Sequence, residues 1–230
     1  MIPLRDSIRP LRRPVVNHIL IAANVLVFLY EVSLSRQGLM AFIFQWGVIP
    51  ARVGGVGELV RGIVVGEWSA PLTLVTATFL HGGWMHLFGN MLYLWVFGDN
   101  IEDRLGRGRY LLFYLGAGVL ANYAQVLANP ASTIPLIGAS GAVAAVLGAY
   151  LVSFPRSRVV ALVPLGIFLT VTEVPALVFL FLWFGVQLLS GFASLGLPDV
   201  GGVAWWAHIG GFIVGMVLIK VMRRRPVYGW

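Results

Sequence analysis

Apolar runs broken by short polar or glycine-rich segments make up most of this chain, and six of them approach the length of a membrane crossing. A spanning helix needs roughly 20 mostly apolar residues. The pattern predicts a first span over residues 17–34, a second over 84–98 and a third over 110–127. A fourth starts near Ala139 and ends before Pro155; a fifth covers 175–193 and a sixth 204–222. The second and fourth are short for a full crossing. Short or glycine-interrupted helices imply ends inside the protein, beside a water-filled cavity. The long loop after the first span, 35–71, carries apolar aromatic stretches such as Leu39 to Trp46, too short and interrupted to span. An amphipathic element lying in the interface fits them best, with a buried re-entrant segment as the alternative. No internal repeat is evident, which weakens a transporter reading based on paired broken segments.

Composition points the same way. Of 230 residues, 59% are hydrophobic and 11% charged, against about 25% charged in a soluble domain. Such a chain cannot cover a water-facing surface, so lipid must cover it. The net charge of +7 would admit nucleic acid as a partner, but the placement of the charges argues otherwise. Four Arg precede the first span; Arg104, Arg107 and Arg109 follow the second; Arg156 and Arg158 follow the fourth; Lys220 and Arg223 to Arg225 follow or close the sixth. Six spans therefore put thirteen of the sixteen basic residues on one side and leave Arg36, Arg52 and Arg61 on the other. By the positive-inside rule both termini are cytoplasmic, in a multi-pass protein of the cell's inner or plasma membrane. The expected organisation is a basic lead over 1–16, a six-helix core over 17–222 and a short basic tail over 223–230. No small-residue cleavage site follows the first apolar run in a suitable place, so that run reads as a span rather than a signal peptide. There is no cysteine, hence no disulfide and no thiolate metal site.

Polar side chains inside a membrane are costly and face a cavity or a partner. The candidates are His81, His86 and Asn90 near the second span, Ser140 in the fourth and His208 in the sixth. Ser140 lies in Gly138-Ala139-Ser140-Gly141-Ala142, at a helix start whose free N–H groups can hold an oxyanion. Ser140, Ala144 and Gly148 form a small-residue row; Ala207, Gly211 and Gly215 form another beside His208. Such rows let helices approach closely, which would bring Ser140 and His208 together as nucleophile and base. A lone membrane serine is usually only a packing residue, and a lone histidine can simply bond a carbonyl; it is the pair that favours chemistry. No acid lies in the sixth span, and Asp199 is a weak third member, so a dyad is expected. His86 and Asn90, four apart, share a helix face and could donate to one point as an oxyanion hole; satisfying loop carbonyls is the alternative. His81 reads as structural, holding the Gly82-Gly83 loop, and His18 as interfacial. No His-Glu-x-x-His run is present, so no metal site is expected, and no pair of buried Asp is available for an aspartyl mechanism.

These segments resemble a known family. The run Thr78-Phe79-Leu80-His81-Gly82-Gly83-Trp84-Met85-His86-Leu87-Phe88-Gly89-Asn90-Met91 is similar to the second-helix signature of rhomboid proteases. Gly138-Ala139-Ser140-Gly141 resembles their nucleophile motif and Ala207-His208-Ile209-Gly210-Gly211 their histidine motif, in the same order. The resemblance covers roughly residues 17–222. It implies an all-α membrane protein, a six-transmembrane-helix rhomboid-like bundle with a membrane-embedded first outer loop. It implies an intramembrane serine endopeptidase that cleaves transmembrane protein substrates from within the lipid bilayer, without cofactor. Ser140 and His208 would be catalytic; His86, Asn90 and the Ser140 backbone would form the oxyanion hole; the fifth helix would be a possible lateral gate. Glu102, Arg104 and Gly106 match a Glu-x-Arg-x-Gly pattern that is taken as structural. Two departures stand out. Some members carry an aromatic residue four after the serine, where this chain has Ala144, and some carry a Trp-Arg pair in the first loop, where Trp68 is followed by Ser69. A non-catalytic adaptor that binds client helices and a small transporter are the rival functions.

Overall fold

The structure, a computed structural model, describes residues 1–165, 168–195 and 202–222. Asp199 and the expected basic tail over 223–230 lie outside the described residues. The chain opens with strand β1 (Ile2–Asp6) and helix α1 (Val15–Ser33). The segment between α1 and the next long helix folds into α2 (Arg36–Trp46), α3 (Pro50–Val53), α4 (Val56–Val64), α5 (Ser69–Thr76) and a 3-10 turn (Ala77–Phe79). Then come α6 (Trp84–Leu105), α7 (Arg107–Ala128), α8 (Ser140–Ser153), the strands β2 (Arg158–Leu165) and β3 (Phe168–Pro175), α9 (Ala176–Ala193) and α10 (Trp205–Met222). Among the described residues four helices, α1, α7, α9 and α10, are long and apolar enough to cross a membrane.

Two expectations need correction. The second apolar run does not stop at Gly98: α6 continues to Leu105. Its last two turns carry Asp99, Glu102, Asp103 and Arg104, which read as loop. The fold gives the acids partners instead. Glu102 accepts the N–H groups of Val16 (3.1 Å) and Asn17 (2.7 Å), two of the orphan donors that open α1. Asp103 accepts the Leu11 N–H at 3.2 Å. Gly106, at φ 79°, then breaks the chain into α7, a conformation that glycine adopts without steric cost. Nearby, Asn17 donates to the Leu94 carbonyl and accepts the Tyr110 hydroxyl, which locks α1, α6 and α7 together.

The chain is also not all-α. β1, β2 and β3 form a three-stranded antiparallel sheet in that order, with Ile2 opposite Leu162 and Asp6 opposite Val159. The N-terminal lead is thus joined to the segment between α8 and α9. β1 is only five residues long, and Pro3 and Pro164 interrupt the alternation that would announce the strands. Asp6 closes β1, and its carboxylate accepts hydrogen bonds from the Tyr150 hydroxyl and the Asn100 side-chain amide. Burial pushes its carboxyl above the ordinary range, and the bond from Tyr150 offsets only part of that.

The core centres on α8, which is short, as expected, at 14 residues and buried from Gly141 to Leu151. A helix that is apolar all round belongs inside, and α6, α7, α9 and α10 pack around this one. Its contact with α10 is made of missing side chains. A Cβ on Gly215 would fall on the Ala145 carbonyl oxygen, one on Gly148 on that of Phe212, and one on Gly211 on that of Gly141. The α10 row is the expected one, whereas α8 turns Gly141, Ala145 and Gly148 to its partner. Ser140 is therefore left beside the contact rather than within it. Large apolar side chains such as Leu26, Leu112, Leu189 and Val217 point outward.

Candidate active site

Ser140 is the first residue of α8. The first bond of the helix runs from the Val143 N–H to the Ala139 carbonyl at 2.9 Å, so the N–H groups of Ser140, Gly141 and Ala142 have no helical acceptor. Just before them, Gly138 stands at φ 131°, with its N–H on the Ala77 carbonyl at 2.9 Å. A Cβ on Gly138 would lie 2.8 Å from His86 Nε2 and 3.6 Å from Ser140 Oγ. Both backbone angle and space thus demand glycine here, and the absent side chain leaves a small hollow that His86 and Ser140 share.

His86 and Asn90 rise from the first turns of α6. His86 Nδ1 accepts the Gly82 N–H at 3.3 Å, which assigns the ring proton to Nε2, the nitrogen facing the hollow. Asn90 is buried, and its Nδ2 has no hydrogen-bond partner among the described residues. An unmatched buried donor is uncommon, and it is the kind of group that a developing negative charge can use.

His208 lies one turn into α10. Ala207, just before it, packs on Gly141, just after Ser140: a Cβ on Gly141 would lie 3.6 Å from the Ala207 carbonyl oxygen and 3.7 Å from its Cβ. The two helix starts are thereby set side by side. Among the described residues no hydrogen bond joins Ser140 Oγ to His208. Instead the imidazole Nδ1 lies 2.8 Å from Gln187 Oε1 on α9. The Trp183 ring (6.1 Å, inclined 35°) and the Trp205 ring (6.1 Å, edge-on) flank it. Ala144 is fully buried and small; aromatic company for His208 comes from α9 and the start of α10. Gln125 on α7 accepts the N–H groups of Trp206 and Ala207 at 3.1 and 3.3 Å, fixing the turn that carries the histidine.

His81 is buried 5.1 Å from the His86 ring, edge to face. Its backbone N–H donates to Glu31 Oε2 at 3.1 Å, and neither ring nitrogen has a partner among the described residues. The sequence reading missed Gln187, Gln125 and Glu31, although each is a polar residue within or ending an apolar helix. That is the same signal that singled out Ser140. Among the described residues no cluster of three His, Asp or Glu could hold a metal ion. A cavity of about 210 Å³ opens between α6 and α9, lined by Tyr93, Phe179, Leu182, Trp183 and Gln187 among others.

Known proteins resemble the chain along much of its length. The family model described as the Rhomboid domain matches residues 67–225. The chain is 32% identical over 208 residues to "Rhomboid protease GluP" of Bacillus subtilis (strain 168), covering 82% of this chain and 36% of that protein. It is 36% identical over 90 residues to "Putative rhomboid protease YdcA" of the same organism, covering 39% and 43%. It is 30% identical over 176 residues to "Rhomboid-like protein 11, chloroplastic" of Arabidopsis thaliana, covering 73% and 59%. The matched region is thus between about a third and three fifths of these relatives' own length.

Proposed function

The chain belongs to the rhomboid family, and from that premise we propose that it is an intramembrane serine endopeptidase that hydrolyses peptide bonds in or near transmembrane segments of other membrane proteins. The observation that carries the reading is the hollow over Gly138, where Ser140 Oγ and His86 Nε2 meet one point while Gly141 seats Ala207 and so His208 alongside. In this reading α6 and α8 complete a six-helix core with the four longer helices, and both termini are cytoplasmic. The outer loop from α2 to α5 lies in the membrane interface.

His208 Nε2 accepts the proton of Ser140 Oγ as the oxygen attacks the substrate carbonyl carbon. The negative charge that forms on the carbonyl oxygen is held by His86 Nε2–H, Asn90 Nδ2–H and the Ser140 N–H. The tetrahedral intermediate collapses as His208 gives its proton to the leaving amine, which departs and leaves an ester on Ser140. Water then loses a proton to His208 and adds to the ester; the proton returns to Ser140 Oγ as the acid leaves. The substrate stretch is an unwound helix end, because an intact helix hides its carbonyls, and the cavity between α6 and α9 offers a lateral way in.

The test is purified protein in lipid with a cleavable transmembrane substrate, together with fluorophosphonate labelling of the wild type and Ser140→Ala. Wild type is expected to cleave and to label, and Ser140→Ala to do neither. Full cleavage by Ser140→Ala would sink the proposal, and an intact wild type that never labels would favour a non-catalytic binder of client helices.

A further inference from the structure

We propose that Gln187 is the positioning residue for His208, holding the imidazole in the one tautomer and orientation that lets Nε2 serve Ser140. The inference rests on the reading of Ser140 and His208 as nucleophile and base. It goes beyond that reading in naming a third group, uncharged and carried by a different helix.

The orientation of the carboxamide is set within α9. Gln187 Nε2 donates to the Trp183 carbonyl one turn earlier, at 3.3 Å. The oxygen end is therefore the one that faces the histidine, 2.8 Å from Nδ1. A carbonyl oxygen can only accept, so Nδ1 must carry the hydrogen. In a neutral imidazole that leaves Nε2 with the lone pair, as a base at Ser140 requires. Both side chains are buried, Gln187 7% and His208 8% exposed, so little water competes for the bond. Trp183 and Trp205 confine the ring plane but leave its tautomer free; among the described residues only Gln187 bonds a ring nitrogen of His208.

When Nε2 takes the serine proton, the ring becomes an imidazolium and the bond from Nδ1–H to the Gln187 oxygen becomes charge-assisted, hence shorter and stronger. A carboxylate in this place would do the same with a full charge and would raise the basicity of the ring. Gln187 supplies orientation and a dipole without that charge. No acid is then needed for the base to be held, in keeping with the want of any acid on α10.

The experiment uses the full chain in lipid vesicles with a transmembrane substrate and a fluorophosphonate probe, comparing wild type, Ser140→Ala, Gln187→Met and Gln187→Glu. Methionine keeps the length and removes the acceptor; glutamate keeps the acceptor and adds charge. Gln187→Met is expected to lose about 10- to 100-fold in kcat and in labelling rate, with KM within about twofold. Gln187→Glu is expected to retain turnover, with the acid limb of its kcat/KM profile moved upward by about one pH unit. If Ser140→Ala labels like wild type, the nucleophile reading falls and the role of Gln187 with it. If that control holds while Gln187→Met keeps the wild-type kcat, only the positioning role falls. Should Gln187→Met fail to fold, the Gln187→Glu profile decides alone: an unmoved acid limb overturns the proposal.

Discussion

Gly211→Ala offers a sharp test of how the two helix starts are held together. Gly211 lies one turn after His208, and the added Cβ would sit 3.1 Å from the Gly141 carbonyl carbon, 3.3 Å from Ala121 Cβ and closer still to the Gly141 oxygen. Unstrained carbon contacts lie at about 3.5–4.0 Å. Backbone cannot swing aside as a side chain can, so α10 must move from α8 by about 1 Å. A misplacement of that size costs roughly 10²-fold in rate, or about 2.7 kcal/mol of barrier. The overpacking itself costs about 1–3 kcal/mol of stability. The control is Gly116→Ala on α7, where an added Cβ meets nothing within 4 Å. Turnover of a transmembrane substrate and the fluorophosphonate labelling rate read the first effect; the thermal unfolding midpoint reads the second. The control should match wild type in rate. If Gly211→Ala kept the wild-type kcat and midpoint, the close backbone contact would not be what aligns Ser140 with His208.

Two further outcomes follow from the same geometry. On the proposed mechanism, in which the unpartnered Asn90 Nδ2 holds the charge of the transition state, Asn90→Ala should lower kcat by about 10²- to 10³-fold with little change in KM; steady-state kinetics within threefold of wild type would contradict this. Asp6 gives a pH signature. Burial favours its neutral form in the folded protein, so the stability it contributes is full below the unfolded carboxylate value of about 3.9 and declines as pH rises through the higher folded value. Unfolding midpoints at pH 4 and pH 8 should show wild type losing ground to Asp6→Asn at the higher pH, and a gap that stays constant or widens the other way would refute the assignment.

What the amino-acid pattern disclosed was whatever depends on local chemistry. Five of the helices begin and end within a few residues of their apolar runs because each of those runs is almost uncharged. Ser140, His208, His86 and Asn90 stood out because polar side chains among apolar ones need a reason. The end of α6 was hidden because Asp99, Glu102 and Asp103 look like loop residues until the start of α1 arrives to use Glu102 and the segment before it to use Asp103. The sheet was hidden because β1 and β2 are far apart in the chain, and neither shows alternation strong enough to call for a partner. Gln187 escaped notice as one amide in an apolar helix; only the position of α9 beside α10 turns it toward a ring nitrogen. On α8 Gly148 packs as expected, but Gly141 and Ala145 take the places expected for Ser140 and Ala144, a shift of one residue or about 100° that leaves Ser140 beside the helix contact rather than within it.

The sheet has a mechanical consequence for α9. β3 runs directly into the helix, and the Ala176 N–H is tied to the Ser157 carbonyl at 2.9 Å, so this end of α9 is a fixed pivot. Gln187 lies about 16 Å along the helix from Ala176 at 1.5 Å per residue. A tilt of about 5° around the pivot swings Gln187 through ~1.4 Å at that radius and breaks a bond of 2.8 Å. A motion of α9 that widens the cavity against α6 and carries Gln187 away from α10 would therefore also release His208. The lever that opens the door would be an interlock on the base, which is armed again only when the helix has swung home.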